Sequence, residues 1–255
     1  MTTTRTLLAI ETSTPEARVG LFDVDTGLRL AGASAISERH SSNLLRLCVE
    51  TAEQAGITLA SLSAIACGAG PGSFTGLRVG YAVAKGLAMP LDLPFFSVSS
   101  LQALAWDMAA VARPGEGLLP CLDAGKGQVY VAMFASAPER EEAASAGRSV
   151  TRLGDDWVVA PAAVPGAIAE VPTGSPGSPV VAGTGAARYR EVLQIAFAAV
   201  GGARFIDVAG PSAEAVAAHA LPRLRRGERE DLGAAVPAYG RAPDITRPKS
   251  ATSKT

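Results

Sequence analysis

Four glycines crowd into the nine residues Gly68-Ala69-Gly70-Pro71-Gly72-Ser73-Phe74-Thr75-Gly76, between an apolar strand-like run and a helix-like one. Glycine costs chain entropy on folding, and it repays that cost only where the backbone turns sharply or another segment comes very close. The run therefore predicts a strand-to-helix turn that presses a helix against a sheet. A glycine-rich loop at a helix N-terminus can also cradle an anion. The order Gly-x-x-x-x-Gly-Lys-Ser/Thr is absent, so this is no Walker loop, and Gly70 opens no dinucleotide fingerprint.

The segments around the loop have a clear rhythm. Leu7 to Ile10, Arg18 to Val24 and Leu28 to Ala35 read as strands, with a turn at Asp25-Thr26-Gly27. Then come a helix from about Ser42 to Ala55 stopped by Gly56, a strand from Ala64 to Cys67 and a helix from Phe74 to Ala88. A strand from Phe95 to Val98 and a helix from Ser99 to Val111 complete the set. Antiparallel strands followed by strand–helix alternation imply an α/β chain with a mixed sheet and helices on its faces. After a turn at residues 113–117, Leu118 to Asp123 and Gln128 to Ser136 repeat the opening more weakly, a hint of internal duplication. Residues 138–149 read as an exposed connection and 172–179 as a loop. Val180 to Gly185 reads as a strand entering a tight turn, and Ala186 to Val200 as a helix. The last helix is expected from Ser212, as its N-cap, to Arg226. The expected units are a lobe at 1–112, a second and reduced lobe at 113–240 whose last helix packs back on the first, and a flexible tail at 241–255.

The helix after the glycine loop carries Gly76, Gly80, Ala84 and Ala88 every four residues, a row of small side chains along one face. Val79, Val83 and Leu87 form a second, larger row, and the preceding helix presents Leu44, Leu45, Cys48 and Val49. Two readings stand side by side. The helix is wedged inside its own domain, or its surplus apolar surface receives a partner helix.

Lys and Arg number 23 against 24 Asp and Glu, a balance that argues against a broad nucleic-acid-binding face. The 48% hydrophobic content is enough for a sizeable core. Cys48, Cys67 and Cys121 are too scattered for a disulfide framework or a metal knuckle and are expected as buried, reduced thiols. His40 and His219 lie far apart, which excludes a histidine-pair zinc motif and points to surface or capping roles. Asp23, Asp25 and Asp123 are expected in turns. No leader-like or membrane-spanning apolar run is seen, so a cytoplasmic location is expected.

Leu8-Ala9-Ile10-Glu11-Thr12-Ser13, Gly70-Pro71-Gly72-Ser73-Phe74-Thr75-Gly76-Leu77-Arg78-Val79-Gly80 and Ala84-Lys85-Gly86-Leu87-Ala88 together resemble the TsaB (YeaZ) family. The His40-Ser41-Ser42-Asn43-Leu44-Leu45 helix start and Asp123-Ala124-Gly125-Lys126-Gly127-Gln128-Val129-Tyr130 are similar to that family's patterns. The resemblance is strong over residues 7–136 and thin over 138–235. It implies an actin-like ATPase (ASKHA, ribonuclease H-like) fold of two lobes with mixed sheets. In that fold the hydroxyl-rich turn after the first strand meets nucleotide phosphates, which makes Thr12, Ser13, Gly70, Gly72 and Ser73 the candidates for such contacts.

TsaB is similar to the catalytic TsaD family, whose Val-Asn-His-x-Glu-Gly-His segment holds a metal. Here the matching segment is Val98-Ser99-Ser100-Leu101-Gln102-Ala103-Leu104, with Ser100 and Leu104 in place of the histidines. Leucine cannot coordinate a metal. The resemblance thus implies a pseudoenzyme with no cofactor, no metal and no catalytic residue. Its role would be to support threonylcarbamoyl transfer to the adenosine beside the anticodon of tRNAs reading ANN codons. It would pair with a TsaD-like subunit through Leu44, Leu45, Cys48, Gly76, Gly80, Ala84 and Ala88, with a TsaE-like ATPase joining. Contact with tRNA would be indirect, through the complex, and the isolated chain could self-associate. The main rival is an active ATP-dependent transferase or small-molecule kinase of the same fold; a second, a metallopeptidase, is opposed by the missing histidines. Two departures stand out: Glu11 where the family often has Asp, and Pro237-Ala238-Tyr239-Gly240-Arg241 without the family's Leu, which counts against a docked tail.

Overall fold

The computed structural model describes residues 5–36, 40–137, 148–169, 171 and 177–239. Strands β1 (Thr6–Glu11), β2 (Glu16–Asp23) and β3 (Arg29–Ile36) form an antiparallel meander. Helix α1 (His40–Gln54) follows, and Gly56 ends it with φ +70, a conformation open to glycine. Strand β4 (Ala64–Gly70) lies parallel to β1, α2 (Phe74–Ala88) returns the chain, and β5 (Phe95–Ser99) lies parallel to β4. The sheet order is β3-β2-β1-β4-β5. Helix α3 (Ser100–Ala109) leads out of this lobe, its first turn capped by the Ser99 hydroxyl, which accepts from the Gln102 N–H.

The second lobe repeats the plan. Strands β6 (Glu116–Gly125), β7 (Gln128–Val131), β8 (Phe134–Ala137), β9 (Ser149–Arg152) and β10 (Trp157–Val159) precede α4 (Val164–Ile168). Then come β11 (Gly177–Ala182), α5 (Thr184–Arg188), α6 (Arg190–Ala198), β12 (Arg204–Phe205) and α7 (Ala213–Arg225). The order β10-β7-β6-β11-β12 has the same directions as the first sheet, antiparallel on the β7 side and parallel on the β11 side. The β8–β9 hairpin is an addition hung on β6. The hinted duplication is therefore a duplication of topology, and the chain has the actin-like arrangement.

Helices α1 and α2 cover one face of the first sheet around Leu8, Ile10, Leu44 and Phe95. Helices α3 and α7 cover the other, in a core that also takes Leu118, Leu122, Phe134 and Val180 from the second lobe. Both faces of β1 and β4 are thus dry, so every residue of these strands is buried. The three cysteines are free and buried, and burial pushes the Cys48 and Cys121 thiols up to about 12.

Several sequence expectations need correction. The strand at Ala64 does not stop at Cys67 but runs on through Gly68 to Gly70, pairing with Val98 and Ser99. Residues 128–136 are two strands broken at Ala132 and Met133, and residues 186–200 are two helices broken at Tyr189 (φ −113, ψ 27). Strands β9, β10 and β12 and helix α4 were not anticipated; all are short, three to five residues apart from the two of β12, and carry little periodicity. His219 is not a surface cap. It lies within α7, and burial holds its imidazole neutral, with a pKa lowered to about 4. Expectations for residues 138–147, 172–176 and 240–255, and for the His40 side chain, fall outside the described residues.

The small row on α2 faces the chain's own sheet. A Cβ on Gly76 would overlap the Thr12 carbonyl oxygen, and one on Gly80 would overlap Thr12 Oγ1. Ala84 and Ala88 are fully buried, as are Leu44 and Cys48 to within 1%. Of the seven residues expected at a partner interface, six belong to the chain's own core and only Leu45 points outward. The reason is the turn after β1, which passes so near α2 that only a hydrogen fits at positions 76 and 80. Gly76→Ala is expected to destabilise the fold by roughly 1–3 kcal/mol, as overpacking does, when measured by urea unfolding. Ala84→Arg is expected to yield no folded protein, because it buries an unpaired charge. Wild-type melting of either variant would place the row outside the core.

Candidate functional site

The end of β1, the glycine loop and the start of α3 converge on one carboxylate. Glu11 is fully buried. Its Oε1 accepts from the Ser13 N–H at 2.6 Å and its Oε2 accepts from the Ser100 hydroxyl at 2.9 Å. The same hydroxyl accepts from the Gly70 N–H at 3.1 Å. Gly68 makes room for the carboxylate, since a Cβ there would overlap Oε2. Burial pushes the Glu11 carboxyl above its ordinary range, and the bonds from Ser13 and Ser100 pull it part of the way back. A general base needs a path to its substrate, and Glu11 has no exposed surface.

The five residues expected at a phosphate do come together, but they are turned on one another. Ser73 N donates to Ser13 O at 2.7 Å, Gly70 N is taken by Ser100, and Gly76 N is taken by Ser73 Oγ at 3.2 Å. Gly72 sits against Ser13 so closely that a Cβ would overlap its carbonyl. Thr12 and Ser13 are buried, and Thr12 Oγ1 has no hydrogen-bond partner among the described residues. An anion cradle needs free N–H donors, and those of Ser13, Gly70, Ser73 and Gly76 already have acceptors within the chain. The donor set does not suit a metal either. Ser100 is committed to Glu11, Leu104 is buried in the core, and no three His, Cys, Asp or Glu residues cluster among the described residues.

A segment that the sequence reading set aside closes the loop from outside. After α7 the chain returns across the first lobe, where Glu230 N donates to Phe95 O at 3.2 Å and Glu230 Oε1 accepts from Ser97 N at 3.0 Å. Lys85 Nζ then donates to Ala235 O, and Ala238 N donates to Ala69 O at 2.7 Å. Gly70, with φ +90, lies directly beneath Ala238 O. The Tyr239 ring packs against Phe74 at 4.9 Å, and its carbonyl accepts from Tyr130 OH of the second lobe at 3.2 Å. The strap thus binds both lobes across the glycine loop, despite the missing leucine of the family pattern. The signal that could have found it was Tyr239 itself, an aromatic residue just before the polar run 240–255.

The outward face of the α1–α2 pair has a different character. Leu45 is 48% and Val49 38% exposed, one turn apart on α1. On α2, Ala82 and Gly86 are exposed one turn apart, and a Cβ on Gly86 would meet nothing within 4 Å. This second small row is two residues out of phase with the buried one, and the sequence reading missed it because the two rows look alike.

Glu11→Gln tests the buried acid. The folded-state pKa lies above the ordinary 4.5, so the native state holds the proton longer than the unfolded state does. This group's contribution is therefore present at low pH and declines as pH rises above 4.5. The difference in unfolding free energy between Glu11→Gln and wild type should grow in the variant's favour between acid and neutral pH. A pH-independent difference would mean that Glu11 is not desolvated. Truncation after Asp231 should accelerate amide hydrogen exchange at Gly70 and Ser73 at least tenfold, and unchanged exchange would show that the strap protects nothing.

The family model described as "TsaD: tRNA N6-adenosine threonylcarbamoyltransferase" matches residues 34–235. The tRNA threonylcarbamoyladenosine biosynthesis protein TsaB of Escherichia coli K12 is 34% identical over 131 residues, covering 50% of this chain and 54% of that protein. TsaB of Haemophilus influenzae is 36% identical over 125 residues, covering 49% and 52%. The chain thus aligns with about half the length of these curated relatives. The structure of YeaZ from Pseudomonas aeruginosa superposes with a TM-score of 0.73 at 28% identity, covering 92% of this chain and 99% of that one. Matched across most of its length by the family model and by the YeaZ fold, the chain belongs to the TsaD family of tRNA N6-adenosine threonylcarbamoyltransferases, on its TsaB/YeaZ branch.

Proposed function

We propose that this chain is a non-catalytic subunit of the machinery that adds a threonylcarbamoyl group to the adenosine beside the anticodon of tRNAs. The observation that carries the reading is the buried Glu11–Ser100–Gly70 network, which fills the place where a catalytic relative needs an open, metal-bearing site. Ser100 and Leu104 stand where the TsaD-like motif has histidines, and the strap seals the glycine loop. The active-transferase or kinase reading has no such observation in its favour.

The same reading assigns a TsaD-like catalytic subunit to the outer face of α1 and α2. Leu45 and Val49 offer apolar anchors, and Ala82 and Gly86 let a partner helix approach closely, so that dispersion contacts accumulate along its length. A TsaE-like ATPase would join that assembly, tRNA would be met through it, and an isolated chain would pair with its own copy through the same face. No helix among the described residues is long and apolar enough to cross a membrane, which accords with work beside cytoplasmic tRNA.

The test is reconstitution. The chain alone, given ATP, bicarbonate, threonine and tRNA, is expected to form no modified adenosine, and the full set of subunits is expected to form it. Turnover by the chain alone overturns the pseudoenzyme reading. Val49→Asp combined with Gly86→Leu should keep the circular dichroism of the wild type and weaken capture of the TsaD-like subunit by on the order of 10-fold or more, as the loss of interface anchors does. Undiminished capture would move the interface elsewhere.

A further inference from the structure

A cleft of about 360 Å³ opens on the opposite side of the first lobe, between α3, α7 and the start of β9. It is far from the α1–α2 face, and neither the buried acid nor the strap explains it. Its volume falls within the range of pockets that enclose small molecules. One wall is preset. The Trp106 indole N–H donates to the Arg148 carbonyl at 3.2 Å, and the Arg148 guanidinium lies 3.8 Å from the centre of the Trp106 ring. Stacking of this kind holds a guanidinium in place before any ligand arrives. No ion pair is seen for Arg148 among the described residues. The opposite wall is α7, which brings His219 and Arg223. Arg223 stacks on Phe96 and is answered by Glu230 and Glu228, so its charge is largely offset. The Gln102 amide and the Ser149 hydroxyl line the space between.

His219 gives the cleft its direction. Its Nε2 is buried and has no hydrogen-bond partner among the described residues. An unpaired buried polar atom costs the fold stability, and a ring rotation that brings it to a ligand in the cleft recovers that cost. Burial and the nearby Arg223 disfavour the charged imidazole, so His219 can offer Nε2 as a neutral donor. Donors of this kind converge from three separate elements, α3, α7 and the approach to β9, and the net positive group among them is Arg148.

We propose that this cleft is a binding site for a small oxyanion, the phosphate or carboxylate group of a polar metabolite, held by Arg148, Gln102, Ser149 and His219 Nε2. Arg148 supplies the charge and a planar pair of N–H donors suited to a two-oxygen group. Gln102 and His219 complete the coordination from the helices. The assignment is independent of the partner reading above.

The sequence holds two histidines, His40 and His219, so histidine resonances report on the cleft with little overlap. The experiment is an NMR titration of the full chain, labelled with ¹⁵N-histidine, using inorganic phosphate in one arm and citrate in the other at constant ionic strength. The expected result is a saturable shift of the His219 ring signals in at least one arm, with His40 unmoved. The arm that saturates names the ligand group. Arg148→Gln should weaken that saturation at least tenfold while leaving the melting temperature near wild type. His219→Gln, read by quenching of Trp106 fluorescence, should weaken it as well. Shifts that stay linear in both arms, or saturation unchanged in Arg148→Gln, overturn the proposal. So does saturation by single-stranded RNA with no response to either small anion.

Discussion

A carboxylate with no access to water sits where β1 ends, and three segments distant in sequence are built around it. Glu11 takes hydrogen bonds from the Ser13 amide in its own turn and from Ser100 at the start of α3, and Ser100 in turn holds the Gly70 amide. Removing water from a carboxylate is expensive, and only a complete set of donors makes it tolerable. That requirement dictates glycine at 68, where any side chain would strike Oε2. Ser100, which holds the Gly70 amide, also follows directly on the last β4–β5 pair, Gly70 and Ser99. The glycine loop is dense because a buried acid lies on one side of it and a strap of the same chain on the other.

The same constraint propagates into α2. Because the turn after β1 is pinned by Glu11, Thr12 projects at the helix, and the helix answers with glycine at 76 and 80. Small residues there bring the helix onto the sheet, and the apolar side of α1 then closes the layer with Leu44 and Cys48. What is left exposed is the outer surface, with Leu45, Val49, Ala82 and Gly86. The buried and the exposed rows of small residues on α2 lie two residues out of phase.

The two lobes are joined at several points. The core under α3 and α7 draws on both sheets, and the strap ties Ala69 to Tyr130 through Ala238 and Tyr239. Asp107 anchors the start of α7 to α3 by accepting from both the amide and the hydroxyl of Ser212, at 2.7 Å each. Its desolvation lifts its pKa to about 6. An actin-like frame that opens and closes around a ligand would have to break these contacts. A frame that serves as a rigid platform for another subunit would keep them.

The sequence by itself determined the local order. The opening meander, the bounds of α2, the N-cap at Ser212 and the glycine stop at 56 were all legible, because each depends on residues within a few positions of one another. The family was legible for the same reason, since its motifs are contiguous and concentrated in the first half. Only the tertiary structure decided which of two small rows on α2 faces inward, that Ser100 is committed to Glu11 across 89 positions, and that Tyr239 returns to the glycine loop. Periodicity gives the faces of a helix, but it carries no information about which face meets the sheet. That choice is made by what else is packed against the helix, here a buried turn whose position depends on a single acid.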